Sequence, residues 1–243
     1  MIADRPALSV VIPTLNEERS VARLLDDLGL LEVAHEVIVV DGGSADATAA
    51  VASRRGAGVL RARRGRGAQL AAGARMAGAP VLCFLHADAR LRDDARGELE
   101  QLLARPLAGA YAFRFRIDAR GWRYRFIEFG AHLRVRLFEL PYGDQGLVVS
   151  RADYEAAGGY PDVPLMEDVA LVDALRRITT VRSLRSELPV SARRWEREGP
   201  LTRMLRNWRI VVAYRLGASA HRLAARYGPL GDSPRSGAGA ERG

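Results

Sequence analysis

His86 and Asp88 stand two residues apart in the run Phe84-Leu85-His86-Ala87-Asp88-Ala89-Arg90, directly after an apolar segment. An imidazole and a carboxylate so placed can share a divalent cation with a diphosphate, since hard cations take oxygen ligands and hold substrate phosphates. The same three residues also fit a strand-end histidine satisfied as a structural donor. Glu167 and Asp168 form an adjacent acid pair beyond the turn-rich Gly158-Gly159-Tyr160-Pro161. A pair of acids opening a helix either compensates the helix dipole or supplies a general base. Asp144, within Gly143-Asp144-Gln145-Gly146, either contacts a donor or acceptor sugar or ends a turn.

Three further groups carry chemistry of a recognisable kind. In Pro13-Thr14-Leu15-Asn16-Glu17-Glu18 the proline stops a strand, and Glu17 is offered either to a base or ribose or to the following helix as a cap. In Asp41-Gly42-Gly43-Ser44 a strand-end carboxylate can accept from a nucleobase N–H, or can close its own turn. Arg63-Arg64-Gly65-Arg66-Gly67-Ala68-Gln69 opens a helix with several guanidinium groups, a combination suited to a diphosphate held by forked donors and a helix N-terminus. Solvated loop arginines are the plainer alternative.

The elements that must position these groups are legible in the pattern of apolar residues. Residues 8–12, 37–40 and 81–85 are apolar with little alternation, as strands buried on both faces of a parallel sheet require. Helical spacing falls over 18–28, 45–54 and 67–77, with Ser44 or Asp46 available as a cap for the second. The first half therefore alternates β and α, and ligands of such sheets bind beyond the strands' carboxyl ends, where the polar segments lie. A helix over 93–104, a strand over 109–118 and a helix of interleaved aromatics and arginines over 122–138 follow. After them come a short strand at 147–150 and helices at 151–157 and 167–177. Residues 201–227 describe an amphipathic helix broken or bent near Gly217, and the Gly- and Pro-rich residues 229–243 read as a disordered tail.

Composition narrows the classes. The chain of 243 residues carries a formal net charge of +8, which raises nucleic acid, anionic membranes or phosphorylated substrates as partners. It contains no lysine, so the charge is all arginine, which is better explained by codon bias than by one ligand. Its single cysteine, Cys83, can form no disulfide within the chain and fits a reducing cytoplasm. The first residues are too short and polar for a signal peptide, and no apolar run is long enough to span a bilayer. One domain over 1–228 is expected, with a nucleotide-binding half over 1–107 and an acceptor half over 108–228.

A strand-tip acid, an arginine–glycine loop, a strand-tip His-x-Asp and a distal Glu-Asp pair succeed one another in a single order. In this order and in residues 9–18, 37–48, 65–73, 84–90 and 158–175, the chain resembles family 2 glycosyltransferases of the GT-A fold. Phe84–Asp88, Gly143-Asp144-Gln145, Pro164–Asp168 and residues 194–200 are similar, more narrowly, to a bacterial branch named for arsenosugar biosynthesis.

The resemblance implies an α/β fold with a mostly parallel central sheet flanked by helices, and inverting transfer of a sugar from a nucleotide-diphosphate donor to a hydroxyl acceptor. It implies that Pro13, Glu17 and Asp41 contact the nucleoside, that Arg66 and Gln69 lie near the diphosphate, and that Asp88 holds Mg²⁺ or Mn²⁺. Asp168, aided by Glu167, would be the general base. Where the wider family has Asp-x-Asp this chain has His86-Ala87-Asp88, and a nitrogen donor there changes which metals suit the site. A sugar-phosphate nucleotidyltransferase is the enzyme alternative, although its Gly-rich loop would follow the first strand, where Pro13–Glu17 stands. A basic module stacking bases on residues 122–138 is the non-enzyme alternative; no nucleic acid partner is expected. Residues 201–227 either pack on the catalytic domain or make peripheral contact with the inner membrane face.

Overall fold

The computed structural model describes residues 6–138 and 145–227, with the backbone alone described at 133–138 and at Arg194. Asp144 and residues 229–243 lie outside these. Strands β1 (Leu8–Thr14), β2 (His35–Asp41), β3 (Gly58–Arg61), β4 (Val81–Phe84), β5 (Ala110–Ile117), β6 (Leu147–Ser150) and β7 (Val181–Val190) build one sheet. Its order is β3-β2-β1-β4-β6-β5-β7. Every pairing is parallel except those of β6, which runs antiparallel to β4 and β5.

Burial on both faces explains the missing alternation in the strand sequences. Along β1, Val10 and Ile12 enter one apolar cluster and Val11 the other. The first cluster is covered by α1 (Glu18–Leu28) through Val21, Leu24 and Leu28, and by α4 (Asp93–Leu103) through Ala95 and Leu99. Ile127 of α5 (Trp122–Phe138) joins the same cluster. The second is covered by α3 (Arg66–Met76) through Leu70 and Ala74, and by α7 (Glu167–Leu175) through Leu171 and Leu175. Short helices α2 (Thr48–Arg54) and α6 (Arg151–Ala156) complete the layers. Cys83 is buried among these side chains, and burial pushes its thiol up to about 12, so it acts as a small hydrophobe.

One expectation from the sequence is adjusted, and the break expected near Gly217 is present. The helix expected over 45–54 starts at Thr48, because the Ala45 and Ala47 N–H groups donate to Asn16 and to Glu18 at the start of α1 instead. The segment 201–227 divides into α9 (Pro200–Arg215), preceded by α8 (Arg193–Glu198), and α10 (Ala220–Tyr227). Gly217, at φ 93°, makes the break in a backbone region that side-chain-bearing residues avoid. Ile210 of α9 and Leu223 of α10 bury against Leu165, Met166 and Val169, and Arg215 bonds Asp173 of α7 at 2.8 Å. The C-terminal helices thus pack on the helix that carries Glu167 and Asp168. Among the described residues no helix is long and apolar enough to cross a membrane.

Candidate active site

Parallel pairing sets Thr14 opposite Asp41 and Val11 opposite Phe84, so β1, β2 and β4 end at one edge of the sheet. Chain order reverses direction between β1 and β4, the place where open α/β sheets form a crevice. The sequence-named residues fall around this edge in two groups and one intervening turn.

The first group joins the tips of β1 and β2. Asn16 sits at φ 54°, a left-handed conformation that asparagine tolerates. Its side-chain oxygen accepts from the Ala45 N–H at 2.8 Å, and its own N–H donates to Ser44 at 2.9 Å. The Glu17 N–H donates to Thr48 at 2.8 Å, and its carboxylate accepts from Arg193 at 3.0 Å. Asp41 is buried and accepts from the Ser44 N–H at 3.1 Å, closing its own turn. Pro13 lies half-buried between these tips. Gln69 reaches in from α3 and donates to the carbonyls of Thr14 at 2.9 Å and Val40 at 2.7 Å. Both amide hydrogens are spent on backbone. Gln69 is thereby a staple of the strand tips. No motif marks Thr48 or Arg193 as partners of Glu17, since they lie 31 and 176 residues away.

The second group forms around Arg66, the first residue of α3. Its guanidinium donates to Glu167, bonds Asp168 at 3.3 Å and meets the Nε2 of His86 at 3.4 Å. The approach of α3 to the Glu167 turn needs Gly67, where a Cβ would stand 2.6 Å from the Pro161 carbonyl and 3.1 Å from the Glu167 Cβ. Glu167 follows Met166, whose φ of 66° turns the chain sharply into α7. Asp168 accepts from the Val169 N–H at 2.8 Å. The two acids are buried, not solvated as dipole-compensating residues would be. Burial pushes the Glu167 carboxyl up, Arg66 draws it down, Asp168 adds to the rise, and the net shift is upward. For Arg66 burial works downward, yet Glu167 and Asp168 outweigh it and strengthen its hold on the proton. Tyr160 is held well above the usual phenol range, by burial first and then by the Asp168 charge. The sequence marked Tyr160 only as part of a turn.

Between the groups lies the turn that follows β4. His86 and Asp88 are half-buried there. The Ala89 N–H donates to the His86 carbonyl at 3.0 Å, and Ala89 forms an isolated antiparallel bridge with Val190 of β7. Arg90 forks onto Asp27 of α1 at 2.7 and 2.9 Å, and the Leu91 N–H donates to the same carboxylate at 3.0 Å. Asp88 is thus held on a turn clamped from both sides.

Among the described residues, no group of three or more His, Cys, Asp or Glu side chains is arranged to hold a metal ion. This donor set fits Mg²⁺ or Mn²⁺ shared with a substrate diphosphate, for such ions are held by one or two carboxylates with phosphate and water completing the shell. It does not fit a closed structural zinc site, which needs four protein ligands.

The sequence model of glycosyl transferase family 2 matches residues 9–152, more than half of the chain. Uncharacterized glycosyltransferases of Mycobacterium tuberculosis and Mycobacterium bovis are 38% identical over 105 residues, 43% of this chain. The match spans 45% of those relatives' own length. Glucosyl-3-phosphoglycerate synthase of M. tuberculosis, crystallised with Mn²⁺, UDP and glucosyl-3-phosphoglycerate, superposes with a TM-score of 0.53 at 22% identity. The alignment covers 77% of this chain and 71% of that one. TarS residues 1–349 of S. aureus, in complex with UDP-GlcNAc, give a TM-score of 0.59 at 15% identity, over 76% of this chain and 58% of that one. These likenesses carry the GT-A fold, with its mostly parallel sheet and helices on both faces. Since the family's sequence pattern runs through β1, the Asp41 turn, the Arg66 loop and the Asp88 turn, the chain belongs to glycosyl transferase family 2.

Proposed function

We propose that the protein is an inverting, metal-assisted glycosyltransferase that moves a sugar from a nucleoside-diphosphate donor to a hydroxyl acceptor. The observation that carries this reading is the Arg66 guanidinium, which meets His86 on one side and Glu167 with Asp168 on the other. Three segments far apart in sequence supply one cation, one imidazole and two acids to the crevice edge.

In this reading Pro13, Glu17 and Asp41 face the nucleoside, and the half over 1–107 binds the donor while 108–228 shapes the acceptor side. Asp88, with His86 beside it, would hold Mg²⁺ or Mn²⁺. That ion, when bound, neutralises charge on the leaving diphosphate. Arg66 and the N-terminus of α3 do the same from the protein's side, Arg66 exchanging part of its hold on Glu167 for phosphate oxygens. Asp168 removes the acceptor hydroxyl proton as that oxygen attacks the anomeric carbon from the face opposite the diphosphate. Glu167 keeps the guanidinium oriented between the two halves. One displacement inverts the anomeric centre. Asp144, outside the described residues, stays assigned to a donor or acceptor sugar.

The likeness of residues 84–88, 164–168 and 194–200 to the branch named for arsenosugar biosynthesis supports placing the chain in that branch. Peripheral contact of residues 201–227 with a membrane belongs to the same proposal. The UDP and UDP-GlcNAc complexes of the structural relatives make uridine nucleotides the first donors to test. Calorimetric titration with UDP and GDP, with and without Mn²⁺, checks the donor side. Binding should tighten with Mn²⁺ in the wild type and lose that dependence in Asp88→Asn. Absence of binding to any nucleoside diphosphate would overturn the reading.

A further inference from the structure

Large apolar side chains recur on the outer faces of two neighbouring helices. On α5, Trp122, Phe126 and Phe129 follow one another at i, i+4 and i+7 and are 70%, 55% and 64% exposed. On α9, which packs against α5, Leu201, Leu205 and Trp208 repeat the spacing, with Trp208 67% exposed. Residues so spaced share one helix face. The opposite faces are already occupied, Ile127 by the core and Ile210 by Leu165, Met166 and Val169. Exposed apolar stripes on two helices packed against each other mark an interaction site.

Charge around the stripes identifies the occupant. Residues 200–227 contain six arginines and no acidic residue; Arg203 and Arg206 pair with Glu198 and Arg215 with Asp173, while Arg209 on α9 and Arg222 and Arg226 on α10 are exposed. The one acid within α5, Glu128, is buried and bonds Arg125 at 2.6 Å, so it offers no negative charge outward. Arg123 lies 5.7 Å over the Trp122 ring, and Arg209 is exposed beside Trp208. Tryptophan and arginine flanking aliphatic side chains suit the headgroup boundary of a bilayer, where rings and guanidinium stems bury apolar length and keep charge in water. Leu201 and Leu205 gain nothing from base stacking, which disfavours nucleic acid. A second copy of the chain would set arginine against arginine.

We propose that the α5–α9 face docks the protein on an anionic lipid surface, with Trp122, Phe126, Phe129, Leu205 and Trp208 entering the headgroup region. The proposal rests on the peripheral-contact reading above and moves the contact from residues 201–227 as a whole to a two-helix face. It does not rest on the transferase reading. Because the inner side of α9 packs on the turn leading into Glu167, docking would hold the acceptor side of the site close to the lipid.

Co-sedimentation of the full-length protein with phosphatidylcholine vesicles, with and without phosphatidylglycerol, tests the face. The wild type should partition at least about 10-fold better onto the anionic vesicles and be released by salt. The pair Phe126→Ser with Trp208→Ser should lower that partition about 10-fold or more, with melting temperature and UDP binding unchanged. Phe129→Ser with Leu205→Ser is the second pair, read if the first one melts early. A wild type that stays in solution overturns both the face and the peripheral contact. Binding unaffected by either pair but lost in Arg222→Ser with Arg226→Ser overturns the face and leaves peripheral contact through α10. A dimer in light scattering that either pair dissolves, without vesicle binding, assigns the face to a second copy. Oligonucleotide binding lost in the same pairs assigns it to nucleic acid, and each of these last two results refutes the proposal.

Discussion

Arg66→Met tests how the acid pair is held. The side chains of Glu167 and Asp168 are 3% and 11% exposed, and Arg66 bonds both. Removing one partner of a fully buried ion pair costs about 3–5 kcal/mol, because the other charge is left in a poor solvent. Arg66 itself keeps 27% of its side chain exposed, so water shares in its role and the cost falls to about 2–3 kcal/mol near neutral pH. For a chain of this length that is roughly 4–12 °C in melting temperature. The loss should depend on pH with a definite sign. Burial first, and Asp168 with it, raises the folded pKa of Glu167, while Arg66 lowers it. Without Arg66 the folded value climbs further above the unfolded one. A raised carboxyl favours the folded state below its unfolded pKa and loses that contribution as pH rises through the folded value. The deficit of Arg66→Met against the wild type should therefore be small near about pH 4 and full by about pH 8. Urea unfolding at both pH values measures it. Adding Glu167→Gln should recover part of the loss at the higher pH, giving a double variant less damaged than the sum of the two singles. A deficit equal at both pH values, or below about 0.5 kcal/mol at the higher one, would refute the claim that Arg66 neutralises buried acids.

Three other substitutions probe the scaffold of the site. Gln69→Leu removes two buried bonds, to the Thr14 and Val40 carbonyls, which keep the Gly42 N–H and the Thr14 hydroxyl as donors, and should cost about 1–3 kcal/mol in urea unfolding. Gly67→Ala puts a Cβ 2.6 Å from the Pro161 carbonyl and should cost about 1–3 kcal/mol. By moving Glu167 and Arg66 apart it should also lower turnover on the order of 100-fold, read by nucleoside diphosphate release. Asp27→Ala leaves Arg90 and the Leu91 N–H without their acceptor, and should weaken Mn²⁺-dependent UDP binding although Asp27 lies on α1, outside the crevice.

The first half of the fold was legible because β1, β2 and β4 are buried on both faces and carry uninterrupted apolar runs, and α1 and α3 carry helical spacing between them. β7 was not. Its residues Val181–Val190 include Arg182, Arg185 and Glu187, and the register against β5 shifts between Ala112 and Arg114, so neither a strict alternation nor an apolar run survives. That strand matters, since its end pins the Asp88 turn through Ala89 and Val190. The candidate residues were legible as types at strand ends and helix starts. Their company was not, because Arg66 meets Glu167 across 101 residues and Glu17 meets Arg193 across 176. Contacts at such separations follow from sheet order, which no local spacing encodes. Gln69 is a further case: its place in the Arg–Gly loop is legible, and the two backbone carbonyls that its buried amide bonds are not.

The division of labour between Asp88 and Asp168 is the central claim, and nucleoside diphosphate release from a panel of nucleotide-sugars, measured with Mn²⁺ or Mg²⁺, tests it most directly. Asp88 on the donor side and Asp168 on the acceptor side predict release from at least one donor by the wild type. They also predict loss of metal-dependent UDP or GDP binding in Asp88→Asn, and loss of turnover with donor affinity intact in Asp168→Asn. Full turnover in Asp168→Asn, or no release from any donor that the wild type binds, would contradict it.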